Sequence, residues 1–343
     1  MATSIRPDLS ALRAVLAHYD IGPLQQCSLP AGGRRSHTWL ITTDKERYIL
    51  KRYPETFDSP AVEFEHSLLE YLRQVRFPAP RLVQTRQGGT WLALDGHLYA
   101  CFEFIEGICY SDYFLLPSTK TRYLTQAAQT LAYYHSIVAD LVPSGRKMDG
   151  FRPRSHRRWH DREWYLQEME ICREIVASHS RERRRLARWE EAHSRLARLW
   201  DAVEGSDAAL PPSLPIHGDY GPYNLFYNDG RLVAVIDFEC AHLDWRLTEV
   251  LSATVRFAGR DQGLSLPRAR QFLQAYHQAN PLTVEEQRIA PKLFALGRLR
   301  NMVKALIRFR EKGTEASLLA AERMLDWADK AAIWKPLLEE AVR

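Results

Sequence analysis

The chain reads as an α+β protein, with a small, mostly antiparallel β-rich N-lobe over residues 1–105 and a large helical C-lobe over 106–343. Three observations predict this. Between Cys27 and Ile105, short runs of β-branched and aromatic residues recur between polar turns. After Gly107 the apolar residues fall at helical spacing. One strand-like span with turns, Ile216 to Phe238, interrupts that helical half.

Taken in order, Leu12, Val15 and Leu16 share one face of a first helix over Leu9 to His18, which Gly22-Pro23 closes off. Thr38 to Thr42 and Arg47 to Tyr53 read as two strands joined by the turn Thr43-Asp44-Lys45-Glu46. Ser59 as N-cap and Pro60 in the first turn open a second helix, which runs to about Val75 and ends before Pro78-Ala79-Pro80. Strands follow around Thr90 to Leu94 and Leu98 to Ile105, split by Asp95-Gly96. In the C-lobe, Tyr123, Ala127, Leu131 and Tyr134 form one stripe of a helix over Ser118 to Ala139. Residues 141–160 are irregular and basic, and Trp164 to Val203 is a long helical stretch with charged faces. Pro211-Pro212 and Pro215 break it, and everything beyond Thr248 is helical.

The composition is ordinary for a globular protein, with 45% apolar and 26% charged residues, which excludes a disordered or collagen-like chain. A formal net charge of +5 is too slight to argue for nucleic acid, and no recognition motif supports such a partner. The 5 cysteines are scattered without a CxxC pair, so a zinc ribbon or dithiol redox motif is not expected. No apolar run approaches the roughly 20 residues of a membrane span. Met1 to Asp20 lacks the apolar block of a signal peptide, so the expected location is cytoplasmic, with no membrane partner.

The strongest chemical signal is His217-Gly218-Asp219-Tyr220-Gly221-Pro222-Tyr223-Asn224, followed by Val235-Ile236-Asp237-Phe238-Glu239. Asp219 and Asn224 share a loop stiffened by Pro222, and Asp237 ends an apolar strand, Leu232 to Ile236. Two carboxylates and an amide in such positions suit orienting a hydroxyl and holding Mg²⁺ on phosphate oxygens. In the N-lobe, Lys51 ends the strand Tyr48-Ile49-Leu50-Lys51. Glu65 shares the inward face of the following helix with Leu68, Leu69 and Leu72, where a carboxylate needs a cation, and Lys51 is its expected partner.

This pattern resembles the protein-kinase-like phosphotransferases that act on small molecules: the aminoglycoside phosphotransferases, choline kinases and type II homoserine kinases. Their HxDxxxxN and IDF-type carboxylate stand here as His217, Asp219, Asn224 and Asp237. Gly218 in place of the Arg of protein kinases, and Glu239 in place of their final Gly, favour the small-molecule branch. The resemblance implies a two-lobe fold binding ATP or GTP. Asp219 would take or orient the acceptor's hydroxyl proton, Asn224 and Asp237 would ligate Mg²⁺, and Lys51 would hold the nucleotide phosphates. Cys101 to Gly107 resembles the family's hinge. There the Glu103 carbonyl and Ile105 amide would meet the adenine edge, with Phe102 at its back.

By the same resemblance, Pro30 to Thr38 could cover phosphates, and Ser36 stands near where relatives often carry Asn. His135 and Glu249 read as structural, whereas Asp244 could face either the acceptor or solvent. The start, Leu12 to Gly22, is similar to that of type II homoserine kinases, but the catalytic loop lacks the acidic-aromatic sequence associated with them. The acceptor would be an amino alcohol, a homoserine-like compound, a sugar or an aminoglycoside, chosen by the helices of 160–203 and 255–330. The basic residues Arg146 to Arg162 read as a solvated loop, with attraction of an anionic or zwitterionic acceptor as the other reading. Intact Lys51, Asp219, Asn224 and Asp237 argue against a kinase-like binding module without turnover.

Overall fold

The computed structural model describes residues 9–30, 38–112, 117–147, 161–179, 183–205, 211–260 and 263–342. It divides into two compact units. One comprises Met1–Tyr123, Asp140–His156 and His217–Leu243; the other comprises Leu124–Ala139, Arg157–Ile216 and Asp244–Arg343.

In the first unit α1 (Leu9–Leu16) buries Leu12, Val15 and Leu16, the face its periodicity predicts. The strands β1 (Leu24–Ser28), β2 (Thr38–Thr43) and β3 (Arg47–Arg52) pair antiparallel in sequence order. Burial alternates along β2, so Trp39 and Ile41 join the α1 residues in one core cluster. The β2–β3 turn is fixed by Thr43, whose Oγ1 accepts from the amides of Lys45 and Glu46 at 3.2 Å each.

Next, α2 (Ser59–Gln74) begins one residue later than its cap: Asp58 is the N-cap, its Oδ1 accepting from the Ala61 amide at 3.0 Å. Ser59 is therefore inside the helix, not its cap, because the carboxylate one residue earlier reaches the free amide and also suits the positive helix end. β4 (Leu82–Val83), β5 (Leu92–Leu94) and β6 (His97–Glu103) complete a six-stranded sheet of order β1-β2-β3-β6-β4, with β5 on β6. The run Tyr99, Ala100, Cys101 and Phe102 on β6 is wholly buried, the mark of a strand covered on both faces.

After β7 (Ile108–Cys109), the chain passes through α3 (Pro117–Ile137), α4 (Arg162–His179), α5 (Arg183–Glu204) and β8 (Leu214–Ile216). It returns to the first unit as β9 (Leu225–Asn228) and β10 (Arg231–Val235). These form a three-stranded sheet of order β10-β9-β7. The stretch expected as one long helix from Trp164 is two, α4 and α5.

The second unit is helical. α6 (Arg246–Ala258), α7 (Leu266–Ala279), α8 (Val284–Lys312), α9 (Glu315–Asp329) and α10 (Trp334–Ala341) follow in order. α8 starts with a capping box between Thr283 and Glu286 and stops at Gly313, which takes φ +62°. Leu293, Leu296, Leu299, Met302 and Val303 bury its inner face.

Candidate active site

The loop carrying Asp219 is built around a buried histidine. His217 is fully buried, its Nε2 donates to the Ile236 carbonyl at 2.9 Å, and its Nδ1 accepts from the Asp219 amide at 3.2 Å. One nitrogen donates and the other accepts, so this bonding suits the neutral imidazole. The ring packs on Phe238, centroids 4.6 Å apart. Gly218 takes φ +78°, and a Cβ there would lie 2.2 Å from the Cys240 carbonyl oxygen. No other residue fits that approach, which accounts for glycine where protein kinases carry arginine.

From this anchor the chain holds Asp219 by both carboxylate oxygens. The Tyr223 hydroxyl donates to Oδ1 at 3.3 Å, and Asn224 Nδ2 donates to Oδ2 at 3.3 Å and to the Asp219 carbonyl at 2.9 Å. Pro222 opens the single 3₁₀ turn, Pro222–Asn224, that presents both side chains. The Ile236 amide donates to the Asn224 carbonyl at 2.9 Å, tying this loop to the end of β10. There Asp237 adopts left-handed backbone, φ +67° and ψ +59°, a costly conformation for a residue with a Cβ.

Lys51 stands among three carboxylates. Its Nζ lies 2.8 Å from Glu239 Oε2, 3.4 Å from Asp237 Oδ1 and 3.8 Å from Glu65 Oε1. Glu65 and Glu239 are buried, whereas the Asp237 side chain is 38% exposed. The expected Lys51–Glu65 pair is therefore formed, but Glu239 is the shorter contact. Sequence reasoning missed it: the only signal was the acidic residue two places after Asp237. The Tyr53 phenol, pushed well up by burial and by Glu65, stays protonated beside them.

A second lysine is also drawn in. Lys147, expected on a solvated basic loop, is buried, and its Nζ donates to the Glu239 backbone carbonyl. Burial pushes its ammonium down to about 8, against the pull of Glu65. The next thirteen residues, 148–160, lie outside the described residues, as do residues 31–37 with Ser36.

The residues expected to form a hinge lie at and just beyond the end of β6. Phe102 is buried with its ring edge-on to His66, centroids 6.2 Å apart, and pairs with Ile49 and Leu82 across the sheet. The Glu103 amide donates to the Arg81 carbonyl at 2.9 Å, while its side chain is exposed; Ile105 lies just beyond the strand, half-buried. In the second unit Asp244 is buried, and its Oδ1 accepts from the Trp245 amide at 2.7 Å. Among the described residues no cluster of three or more His, Cys, Asp or Glu could hold a metal by itself, and no helix is long and apolar enough to cross a membrane.

The family model described as the phosphotransferase enzyme family matches residues 26–291. A homoserine kinase of Rhodospirillum rubrum is 27% identical over 82% of this chain and 80% of its own length. Another, from a Chelativorans species, is 26% identical over 86% and 84%. Among solved structures, an amicoumacin kinase in complex with AMP-PNP and Ca²⁺ superposes with a TM-score of 0.66 at 15% identity, covering 95% of this chain and 94% of its own. A microcompartment-associated aminopropanol kinase gives 0.64 at 19%, covering 98% and 99%. The fold is thus the protein-kinase-like one, with an antiparallel N-terminal sheet and a mostly helical remainder. The chain belongs to the phosphotransferase enzyme family and is a small-molecule kinase that phosphorylates a hydroxyl group.

Proposed function

We propose that the chain transfers the γ-phosphoryl group of ATP to the hydroxyl of a homoserine-like amino alcohol, in the cytoplasm. The observation that carries this reading is the pairing of a carboxylate held at both oxygens, Asp219, with a lysine embedded among carboxylates, Lys51. The homoserine kinases reported above support the acceptor class.

In this reading Lys51 meets the nucleotide phosphates, with Glu65 and Glu239 fixing its ammonium. The backbone at Glu103 and Ile105 meets the adenine edge beside Phe102. Asp237 and the side-chain oxygen of Asn224 are hard oxygen donors that suit Mg²⁺. When bound, that ion would neutralise phosphate charge. Asp219 orients the acceptor hydroxyl for in-line attack on the γ-phosphorus and takes its proton, while the bond to the β–γ bridging oxygen breaks and ADP leaves. Positioning and charge neutralisation supply most of the acceleration in such transfers, so this set suffices.

The test is an ADP-release assay with Mg·ATP over homoserine, choline, ethanolamine, aminopropanol, simple sugars, methylthioribose and aminoglycosides. The expected result is turnover with homoserine or a close analogue, reduced about 10²–10⁴-fold in Asp219→Asn with nucleotide affinity nearly intact. Wild-type turnover in that variant would remove Asp219 from its role. The same panel run with GTP decides the nucleotide.

A further inference from the structure

Lys147 has no part in the mechanism above, yet the structure goes to some length to bury it. Its loop is stapled to the start and the middle of α2. The Arg146 amide donates to the Pro60 carbonyl at 3.0 Å, and Ser67 Oγ donates to the Ser144 carbonyl at 3.3 Å. Between them Gly145 takes φ +80°, and a Cβ there would fall 2.3 Å from the Pro60 oxygen and 2.8 Å from the Phe64 nitrogen. From this staple the lysine passes over the Phe57 ring, Nζ 5.2 Å from its centroid, and ends on the Glu239 carbonyl. The charges it faces are Glu65 on α2, Lys51 on β3 and Asp237 beyond β10, together with the Cys240 thiol.

Capping one backbone carbonyl does not call for a charge; a hydroxyl or amide would do it without the desolvation cost of a buried ammonium. The charge therefore needs another partner. Glu65, Asp237 and Glu239 all lie within 3.8 Å of the Lys51 ammonium, which gathers negative charge where a polyphosphate has to approach. A second lysine offsets part of that charge. Its bond to the Glu239 backbone also fixes the residue whose carboxylate lies closest to Lys51.

We propose that Lys147 is a second cation of the nucleotide site, a positioning residue that sets Glu239 against Lys51 and lowers the charge barrier to the nucleotide phosphates. This rests on the reading of Lys51 as the phosphate-binding lysine.

The experiment measures equilibrium binding of a fluorescent ATP analogue, with Mg²⁺, to the full chain and to Lys147→Met, Lys147→Gln, Lys147→Arg and Lys51→Met, alongside Tm and steady-state KM values. Loss of nucleotide affinity in Lys51→Met secures the underlying reading; unchanged affinity there overturns that reading, whatever the Lys147 variants do. Given that loss, Lys147→Met should weaken nucleotide binding about tenfold while the acceptor KM stays within about twofold. Lys147→Gln keeps a donor for the carbonyl without the charge and should fall between Lys147→Met and wild type, and Lys147→Arg should recover most of the affinity. Nucleotide affinity unchanged in Lys147→Met, or in Lys147→Gln should the former not fold, would overturn the proposal. So would a lowered Tm with both KM values raised alike and no recovery in Lys147→Arg.

Discussion

Two buried clusters of charge, one in each unit, are built to opposite plans. In the second unit Arg246 grips Glu286 with two parallel bonds, Nε to Oε1 at 2.8 Å and Nη2 to Oε2 at 2.7 Å. Its remaining donors reach Asn280 Oδ1 and the Pro281 carbonyl. Glu286 also closes the capping box of α8, and Asn280 continues to the Ala132 carbonyl at 3.1 Å. Nearby, His135 bridges the Tyr276 hydroxyl at 2.8 Å and Glu249 at 3.1 Å, and burial lowers its pKa so that it sits neutral between them. Arg246 holds its anion in fork geometry, and the cluster joins α3, α6, α7 and α8. In the first unit one ammonium faces three carboxylates at unequal distances, beside an aspartate in left-handed backbone. A closed set of bonds holds helices in place; an unbalanced one is prepared for charges that arrive from outside.

The largest way to test that contrast is Asp237→Ala. Removing this carboxylate should lower kcat by roughly 10²–10³-fold or more, the range seen when one charged contact to a transition state is lost. Stability should change little, because the side chain is 38% exposed and alanine, which also carries a Cβ, leaves the left-handed backbone as it is. Turnover titrated against Mg²⁺ checks it: recovery at ordinary metal concentrations would place the metal site elsewhere. The converse change is Glu286→Ala. Breaking a buried pair by removing one partner strands the other charge, and the expected cost is about 3–5 kcal/mol. Urea unfolding should show that loss while the KM values of the surviving folded enzyme stay at wild-type level. A nucleotide KM that moved with little loss of stability would reverse the distinction between the clusters.

How each cluster reads from the sequence follows from how local its cause is. Asp219, Asn224 and Asp237 are legible because a proline-stiffened loop and the end of an apolar strand dictate their positions within a few residues. Glu65 is legible because helical spacing puts it among Leu68, Leu69 and Leu72, all buried in the structure. Glu239 and Lys147 are not. Their burial depends on Gly145 seating against Pro60, and on Gly218 seating against Cys240, contacts between segments distant in the chain. Lys147 thus looked like one more charge in a basic run. The α2 cap shows a local misreading: Ser59-Pro60 has the right form, but Asp58 supplies the better acceptor. The roles of His135 and Glu249 as structural residues fit the bonds they make, and these too come from helices far apart in sequence.

A finer test lies on α2, one residue from Glu65. His66 is buried between the Tyr53 hydroxyl at 3.0 Å and Thr90 Oγ1 at 2.9 Å, so both ring nitrogens are satisfied by neutral groups. Burial pushes it down to about 4 despite the pull of Glu65, from an ordinary value near 6.5. The unfolded chain therefore binds more protons than the folded one between those values, and stability rises with pH across that window. The contribution is fully present above about pH 6.5 and is lost as pH falls toward 4. Relative to a His66→Gln variant, the wild type should lose an extra 2–3 kcal/mol, to order of magnitude, between pH 7 and pH 4.5. Urea midpoints for both proteins at the two pH values measure this, and carboxylates elsewhere cancel in the difference. An identical pH dependence in the two proteins would mean that His66 can take a proton where it stands. The helix would then tolerate a cation beside Glu65 without Lys51, and the claim that this site is short of positive charge would gain a second, independent support.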